Sequence, residues 1–184
     1  MHQIRVGLLG FGRTGSIVAK EIVSDPALSL EWVCRRQLQP NLAFASHALG
    51  FDDAFAPFVA LQDLNLDFLR KNPVDIVIDF SSSSGCHLYE TLAEAGIRIV
   101  SAISKYSEDE QAVIKRAGEK TAILSSPNIT LGINWLMIAS KVLQKIVPHA
   151  DIEVVEEHFR DKREVSGTAL RLATHLELEP SKHV

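Results

Sequence analysis

The sequence predicts an α/β protein with a mostly parallel, doubly wound sheet, followed by an incomplete α+β region. Two observations favour this class. Short apolar runs alternate with stretches of helical periodicity, as in chains that build parallel sheets. Most positions in those runs are apolar, as expected for strands that helices cover on both faces.

The first three elements predict a complete βαβ unit. Residues 4–9 read as a buried strand, 13–24 as a helix that stops before Asp25-Pro26, and 28–34 as a second strand. The pattern is poor over 35–72, where only 63–70 indicates a helix. Alternation then resumes, with strands predicted at 74–80, 97–103 and 122–125 and helices at about 85–95 and 107–119.

A glycine-rich turn joins the first strand to the first helix. It fits G-x-G-x-x-G in the run Gly10-Phe11-Gly12-Arg13-Thr14-Gly15. In such a loop the first glycine permits a tight turn, the second lets a pyrophosphate approach the backbone, and the third allows close helix–strand packing. The motif therefore predicts a Rossmann-type dinucleotide-binding domain; a purely structural glycine turn is the alternative.

The end of the second strand indicates which dinucleotide is bound. Arg35 and Arg36 stand where NAD-binding proteins usually place a carboxylate for the ribose 2′-hydroxyl. Arginine pairs well with phosphate, so the sequence favours NADPH, with NADH as the second choice. Solvated arginines at a strand end are the alternative.

Further candidate cofactor contacts follow the later strands, at the edge where ligands bind in open α/β sheets. Their hydroxyl and amide groups suit ribose and nicotinamide, but serine and asparagine also cap helices and turns. Lys105 reaches the same edge. The candidates are Phe80, Ser81, Ser82, Ala102, Ser104, Ser126, Asn128 and Ile129.

Pro127-Asn128 marks a change of domain, which predicts a dinucleotide-binding domain at 1–127 and a second domain at 128–184. The second begins with a long helix over 130–147, whose apolar stripe, Trp135 included, predicts a core or an interface. A strand over 151–159 and a helix over 167–176 follow.

The chemically richest stretch joins that strand to that helix. It holds a proton carrier, His158, and a cation, Lys162; Ser166, Gly167 and Thr168 then open the helix. Free N–H groups at a helix start attract carboxylates, so the cluster suits an anionic substrate that receives a proton. A solvated charged loop is the alternative.

Composition excludes several classes of function. A formal net charge of −4 argues against a general nucleic-acid binder. The sequence shows no signal peptide and no apolar run long enough to cross a bilayer. Cys34 and Cys86 lie far apart, without a CxxC pair or metal-ligand spacing, which predicts reduced thiols, no metal site and a cytoplasmic location.

Together, the glycine loop, Asp79-Phe80-Ser81, Ser126-Pro127-Asn128 and the stretch from Glu156 to Ala169 resemble the 4-hydroxy-tetrahydrodipicolinate reductase family, also called dihydrodipicolinate reductase. The resemblance implies an NAD(P)H-dependent step of lysine and diaminopimelate biosynthesis. It also implies a homo-oligomer, dimer or tetramer, built through the substrate domain. Its implied roles are proton relay for His158, proton donor for Lys162, and contacts with the carboxylates of a small dicarboxylate for Gly167 and Thr168.

The chain departs from the family pattern at several positions. Phe159 replaces a second histidine at a substrate contact, and Ser101–Ser104 replaces a Gly-Thr-Thr-Gly loop. Family members continue with further strands, so we expect a truncated substrate domain, either a fragment or a sheet completed by another subunit. Two alternatives stay open: a reductase of another imino acid, and a non-catalytic nucleotide-binding or assembly module.

Overall fold

The structure, a computed structural model, describes residues 3–157 and 166–183. The chain divides into two compact units, Met1–Pro127 and Asn128–Val184.

The first unit contains a six-stranded parallel sheet with the strand order β3-β2-β1-β4-β5-β6. The order reverses between β1 and β4, which is the switch point where such sheets bind ligands. The strands are β1 (Ile4–Leu9), β2 (Leu28–Arg35), β3 (Phe58–Ala60), β4 (Ile76–Asp79), β5 (Arg98–Ser101) and β6 (Ile123–Ser125).

Helices connect the strands of this sheet. Two short 3-10 helices, Leu61–Asp63 and Ser83–Leu88, also lie in these connections. Ser107 begins the last helix with a capping box: its hydroxyl accepts from the Glu110 N–H, and the Glu110 carboxylate accepts from the Ser107 N–H. The helices are α1 (Arg13–Ser24), α2 (Ala45–Ala48), α3 (Leu66–Lys71), α4 (Tyr89–Glu94) and α5 (Glu108–Gly118).

Hydrophobic residues pack on both faces of the sheet, as a doubly wound fold requires. Neighbouring residues of β2 illustrate the alternation, since Trp32 and Cys34 join one buried cluster and Val33 joins the other. Ala19 and Ile22 of α1 pack in the cluster of Val33, whereas Tyr89 and Leu92 of α4 pack in the cluster of Trp32. The predicted fold class is confirmed.

The sequence did not predict β3. This strand has three residues and follows Pro57, so it offers almost no periodicity of its own. Tertiary contacts specify it instead: it pairs with β2, the Val33 N–H donates to the Pro57 carbonyl at 3.0 Å, and the Phe58 N–H donates to the Ala43 carbonyl at 2.8 Å.

The described part of the second unit is helical, with α6 (Leu131–Ile146), α7 (Gly167–His175) and α8 (Pro180–His183). The strand predicted over 151–159 does not form over its described part, 151–157, and the remainder lies outside the described residues. Within that described part, the Val154 N–H bonds the His183 carbonyl at 2.8 Å. A helix terminus replaces the neighbouring strand that a β-ladder needs.

Helix α6 buries none of its residues. Its predicted apolar stripe is exposed: the relative solvent exposures of Leu131, Trp135 and Ile146 are 85%, 67% and 70%. Such a contiguous apolar face is typical of an interaction surface rather than of a solvated helix. Among the described residues, no helix combines the length and hydrophobicity that a membrane span would need.

Candidate functional site

A cleft of about 590 Å³ opens at the switch point of the sheet, over the carboxyl ends of β1, β2 and β4. Eight of the predicted cofactor residues line it together: Gly10, Phe11, Gly12, Arg35, Arg36, Phe80, Ser81 and Ser82. These residues come from three separate loops, which the parallel topology brings to one edge.

The three glycines of the loop have different surroundings. Gly10 has a φ of +91°, and a Cβ there would lie 2.7 Å from the Ser81 Cα, so the turn requires glycine. A Cβ on buried Gly15 would lie 2.3 Å from the Gly10 carbonyl oxygen, which reflects the close approach of α1 to the loop. A Cβ on Gly12 would meet no protein atom within 4 Å. The space beside Gly12 is therefore open to a ligand.

Arg35 is held against aromatic rings. Its guanidinium carbon lies 4.8 Å from the ring centroid of Phe58 and 5.8 Å from that of Phe11. The two rings meet edge to face at 5.0 Å. Cation–π contacts of this kind orient a guanidinium without using its N–H donors. Those donors remain suited to an anion at the mouth of the cleft.

Arg36 and two serines form a second polar group in the cleft. The Arg36 Nη2 donates to the Ser82 Oγ at 3.4 Å, and the Ser82 and Ser84 hydroxyls lie 2.9 Å apart. Ser82 accepts from the guanidinium, and either serine can donate to the other, so one of the two hydroxyl protons is available to another acceptor. A cation backed by hydroxyl donors suits a phosphate group.

Asp79 lies behind this cleft and is fully buried. One of its oxygens accepts from the Ser81 N–H at 2.8 Å and from the Ser81 hydroxyl at 2.6 Å; the other accepts from the Tyr89 hydroxyl at 2.8 Å. Burial raises the pKa of this carboxyl above its usual range, and the three donors act against that rise. Among the described residues, no cationic side chain forms an ion pair with this carboxylate.

The other predicted cofactor residues do not line the cleft. Arg13 and Thr14 are exposed at the start of α1, and Ser104 is exposed after β5 next to half-buried Ala102. The Ser126 N–H donates to the Ser101 carbonyl at 2.9 Å, which fixes the chain after β6. Asn128 and Ile129 belong to the second unit.

Sequence reasoning missed part of the lining. Gln37 directly follows the arginine pair, and Ser84 lies in the serine-rich loop, so both were within reach of the motif argument. Leu61 follows β3, a strand that the sequence did not predict. No sequence pattern therefore marked Leu61 as a lining residue. Leu9, Cys34 and Gly85 complete the lining.

In the second unit, Ser166 caps α7 as predicted, since its hydroxyl accepts from the Ala169 N–H at 3.0 Å. Ser166 also donates twice to Glu156, through its N–H at 2.6 Å and through its hydroxyl. The Thr168 hydroxyl donates to the Asn128 side-chain oxygen at 3.1 Å. Gly167 is exposed at the first turn of the helix.

The predicted proton carriers are not part of this geometry. His158 and Lys162 lie outside the described residues, as does the predicted substrate contact Phe159. Their roles therefore stay predictions from the sequence.

Neither cysteine is a nucleophile candidate. Both are free and buried, and burial raises the pKa of the Cys34 thiol to about 12 and that of Cys86 to about 11. Among the described residues, one group could supply three metal ligands: Cys86, His87 and Glu110. The Glu110 carboxylate is engaged in the capping box, and the raised pKa of Cys86 disfavours the thiolate that a metal requires.

The parallel sheet and the glycine loop at its switch point define a Rossmann-type nucleotide-binding protein. Residues 4–129 match the family model "Dihydrodipicolinate reductase, N-terminus". The chain belongs to the dihydrodipicolinate reductase family.

Several relatives share this sequence over most of its length. The 4-hydroxy-tetrahydrodipicolinate reductases of Methylococcus capsulatus and Archaeoglobus fulgidus are each 33% identical over 92% of this chain. The alignment covers 63% of each relative, so the chain spans less than two thirds of their length. A dipicolinate-bound dihydrodipicolinate reductase from Paenisporosarcina sp. TG-14 shares the fold, with a TM-score of 0.72, 20% identity and coverage of 97% of this chain and 68% of that one.

Proposed function

We propose that this protein is an NADPH-dependent reductase that converts 4-hydroxy-tetrahydrodipicolinate to tetrahydrodipicolinate in lysine and diaminopimelate biosynthesis. The observation that carries the cofactor assignment is the cleft itself. It combines a glycine backbone open at Gly12 with two guanidinium groups, Arg35 and Arg36, and no acidic side chain among its lining residues. A pyrophosphate fits the first feature and a ribose 2′-phosphate fits the second.

The substrate assignment rests on family membership and on the sequence of the second unit. NADPH would supply a hydride to a carbon of the substrate, Lys162 or His158 would supply the proton, and the 4-hydroxyl group would leave as water, which balances the conversion. Gly167 and Thr168 begin a helix of nine residues whose start suits a carboxylate. Since the Thr168 hydroxyl already donates to Asn128, the backbone N–H groups are the first candidates for that contact.

A second candidate function is the reduction of another imino acid. Phe159 favours it, because an aromatic ring replaces a histidine that would contact the substrate in the family pattern. Turnover of a panel of cyclic and open imino acids with NADPH separates the two candidates. Faster reduction of any other member than of 4-hydroxy-tetrahydrodipicolinate favours the second.

We also infer a homo-oligomer, dimer or tetramer, working in the cytoplasm. The exposed apolar stripe of α6 supports the first inference, because water contact over such a face is costly. The two buried free cysteines support the second, since they form no disulfide.

Replacing Arg35 and Arg36 together by alanine should weaken NADPH binding and leave NADH binding nearly unchanged. Each charge-assisted bond to a 2′-phosphate contributes roughly 1.5–3 kcal/mol at best. The preference for NADPH over NADH should therefore fall by about tenfold or more. Titration of both cofactors by calorimetry, against both proteins, measures the change.

Arg70→Ala is the matched control for this prediction. Arg70 is exposed on α3, pairs only weakly with Asp67 at 3.4 Å and does not line the cleft. The substitution removes one positive charge without touching the site, so the preference for NADPH over NADH should persist. Tighter binding of NADH than of NADPH by the unaltered chain would show that the cofactor assignment is wrong.

A further inference from the structure

A buried chain of hydroxyl groups links the loops that follow β4 and β5. It runs from Asp79 through Tyr89 and Tyr106 to Ser101, with oxygen–oxygen distances of 2.8, 3.1 and 2.6 Å. We call these four residues the Asp79 relay. Asp79, Tyr89 and Ser101 are fully buried, and Tyr106 is half-buried.

The number of protons on each group determines the donor and the acceptor of each hydrogen bond in the relay. A carboxylate only accepts, so the Tyr89 proton goes to Asp79. Tyr89 then has no proton left for Tyr106, so Tyr106 donates to Tyr89 and Ser101 donates to Tyr106. The Ile103 N–H approaches the Ser101 oxygen at 3.4 Å, at the far end. Each hydroxyl proton is thus assigned to one partner.

The same count applies to Ser81, on the other side of the carboxylate. Its hydroxyl lies 2.6 Å from Asp79 and 3.4 Å from the Ser82 carbonyl, so its proton goes to Asp79. Toward the cleft, the Ser81 oxygen can only accept. A deprotonated phosphate has no proton to donate and gains nothing there, whereas a ribose hydroxyl or an amide N–H does.

We propose that Asp79 is a positioning residue for cofactor binding, which orients both loops of the cofactor edge and makes Ser81 an acceptor for a hydroxyl or N–H of the nucleotide. On one side the carboxylate fixes Ser81, which lines the cleft. On the other side, the hydroxyls of Tyr89 and Tyr106 connect it to Ser101, where the chain leaves β5. Phosphate groups are then left to Arg36 and Ser82. This proposal rests on the proposed NADPH binding.

A double-mutant cycle tests the connection. Ser81→Ala removes the acceptor, and Tyr106→Phe cuts the relay while keeping the ring. Each should raise the Kd for NADPH about three- to tenfold. Among the described residues, the hydrogen bonds that link the two side chains run through Asp79 and Tyr89, so a purely local effect of each change would be additive. With the relay, the double variant should fall short of the product of the single effects by at least about twofold.

Two further variants sharpen the test. Ser107→Ala breaks the capping box next to Tyr106 without touching the relay, so it should lower the melting temperature, leave the Kd unchanged and add independently to Ser81→Ala. Asp79→Asn places an amide donor opposite groups that already donate, so it should weaken NADPH binding at least as much as Tyr106→Phe. If Tyr106→Phe does not fold, Ser101→Ala cuts the relay at its other end.

The outcomes separate the two proposals. If the unaltered chain does not bind NADPH, the proposed function is lost. If it binds NADPH and the cycle is additive, or Asp79→Asn binds normally, the relay does not position the cofactor and this inference is wrong.

Discussion

Gly12→Val should abolish NADPH binding and leave the fold intact. Gly12 has φ −87° and ψ −160°, a backbone conformation that any residue adopts, and a Cβ there meets no protein atom within 4 Å. The new side chain would instead occupy the space that a pyrophosphate needs beside the start of α1. We expect the Kd to rise at least about a hundredfold, with a stability loss below about 1 kcal/mol. Calorimetric titration and thermal unfolding measure the two effects.

Gly15→Ala is the matched control, because it changes a glycine of the same loop whose surroundings are closed. Its Cβ would collide with the Gly10 carbonyl oxygen, and overpacking of this kind costs typically about 1–3 kcal/mol of stability. The two variants should therefore separate binding from folding. Normal NADPH binding by Gly12→Val would show that the loop is only structural.

Lys162→Ala should lower kcat strongly while NADPH affinity stays nearly unchanged. Hydride delivery to an imine-type carbon leaves a nitrogen that needs a proton, and lysine supplies both a proton and a positive charge. His158→Ala should lower kcat by about a hundredfold, the lower end expected for a general acid–base group. Steady-state kinetics with 4-hydroxy-tetrahydrodipicolinate, beside NADPH titrations, measure both quantities.

Thr168→Ala serves as the comparison within the same motif. It should mainly raise KM, because it removes the hydrogen bond to Asn128 that holds the start of α7, whose backbone N–H groups are the candidates for carboxylate binding, and leaves proton transfer unaltered. An active chain that keeps full kcat with Lys162 and His158 both replaced would reduce the motif to a solvated charged loop.

The sequence was most informative where function or burial restricts residue type locally. The apolar runs and the helix stops revealed five of the six strands of the first unit, but not β3, whose three residues depend on contacts with β2. The strand expected over 151–159 fails over its described part for a related reason. Periodicity shows which side chains are apolar and cannot show whether a neighbouring strand is present.

The candidate site, too, contains residues that the sequence predicted and residues that it did not. Gly12 and the arginine pair carry motif signals, and all three residues line the cleft. The two tyrosines of the Asp79 relay carried no sequence signal, since Tyr89 and Tyr106 lie 10 and 27 positions after Asp79 and the hydrogen bonds that connect them to it form only once the chain folds. From the sequence alone, a tyrosine among apolar residues is interpreted as a core residue. The partners of its hydroxyl group depend on tertiary contacts.

The most direct measurement is NADPH oxidation by this chain, followed by absorbance at several concentrations of 4-hydroxy-tetrahydrodipicolinate generated in situ. We expect oxidation that depends on the substrate, saturates with it, is lost in Gly12→Val and is strongly reduced in Lys162→Ala. Tight NADPH binding without any substrate-dependent oxidation would contradict the proposed function, and would identify the chain as a nucleotide-binding module instead of a reductase.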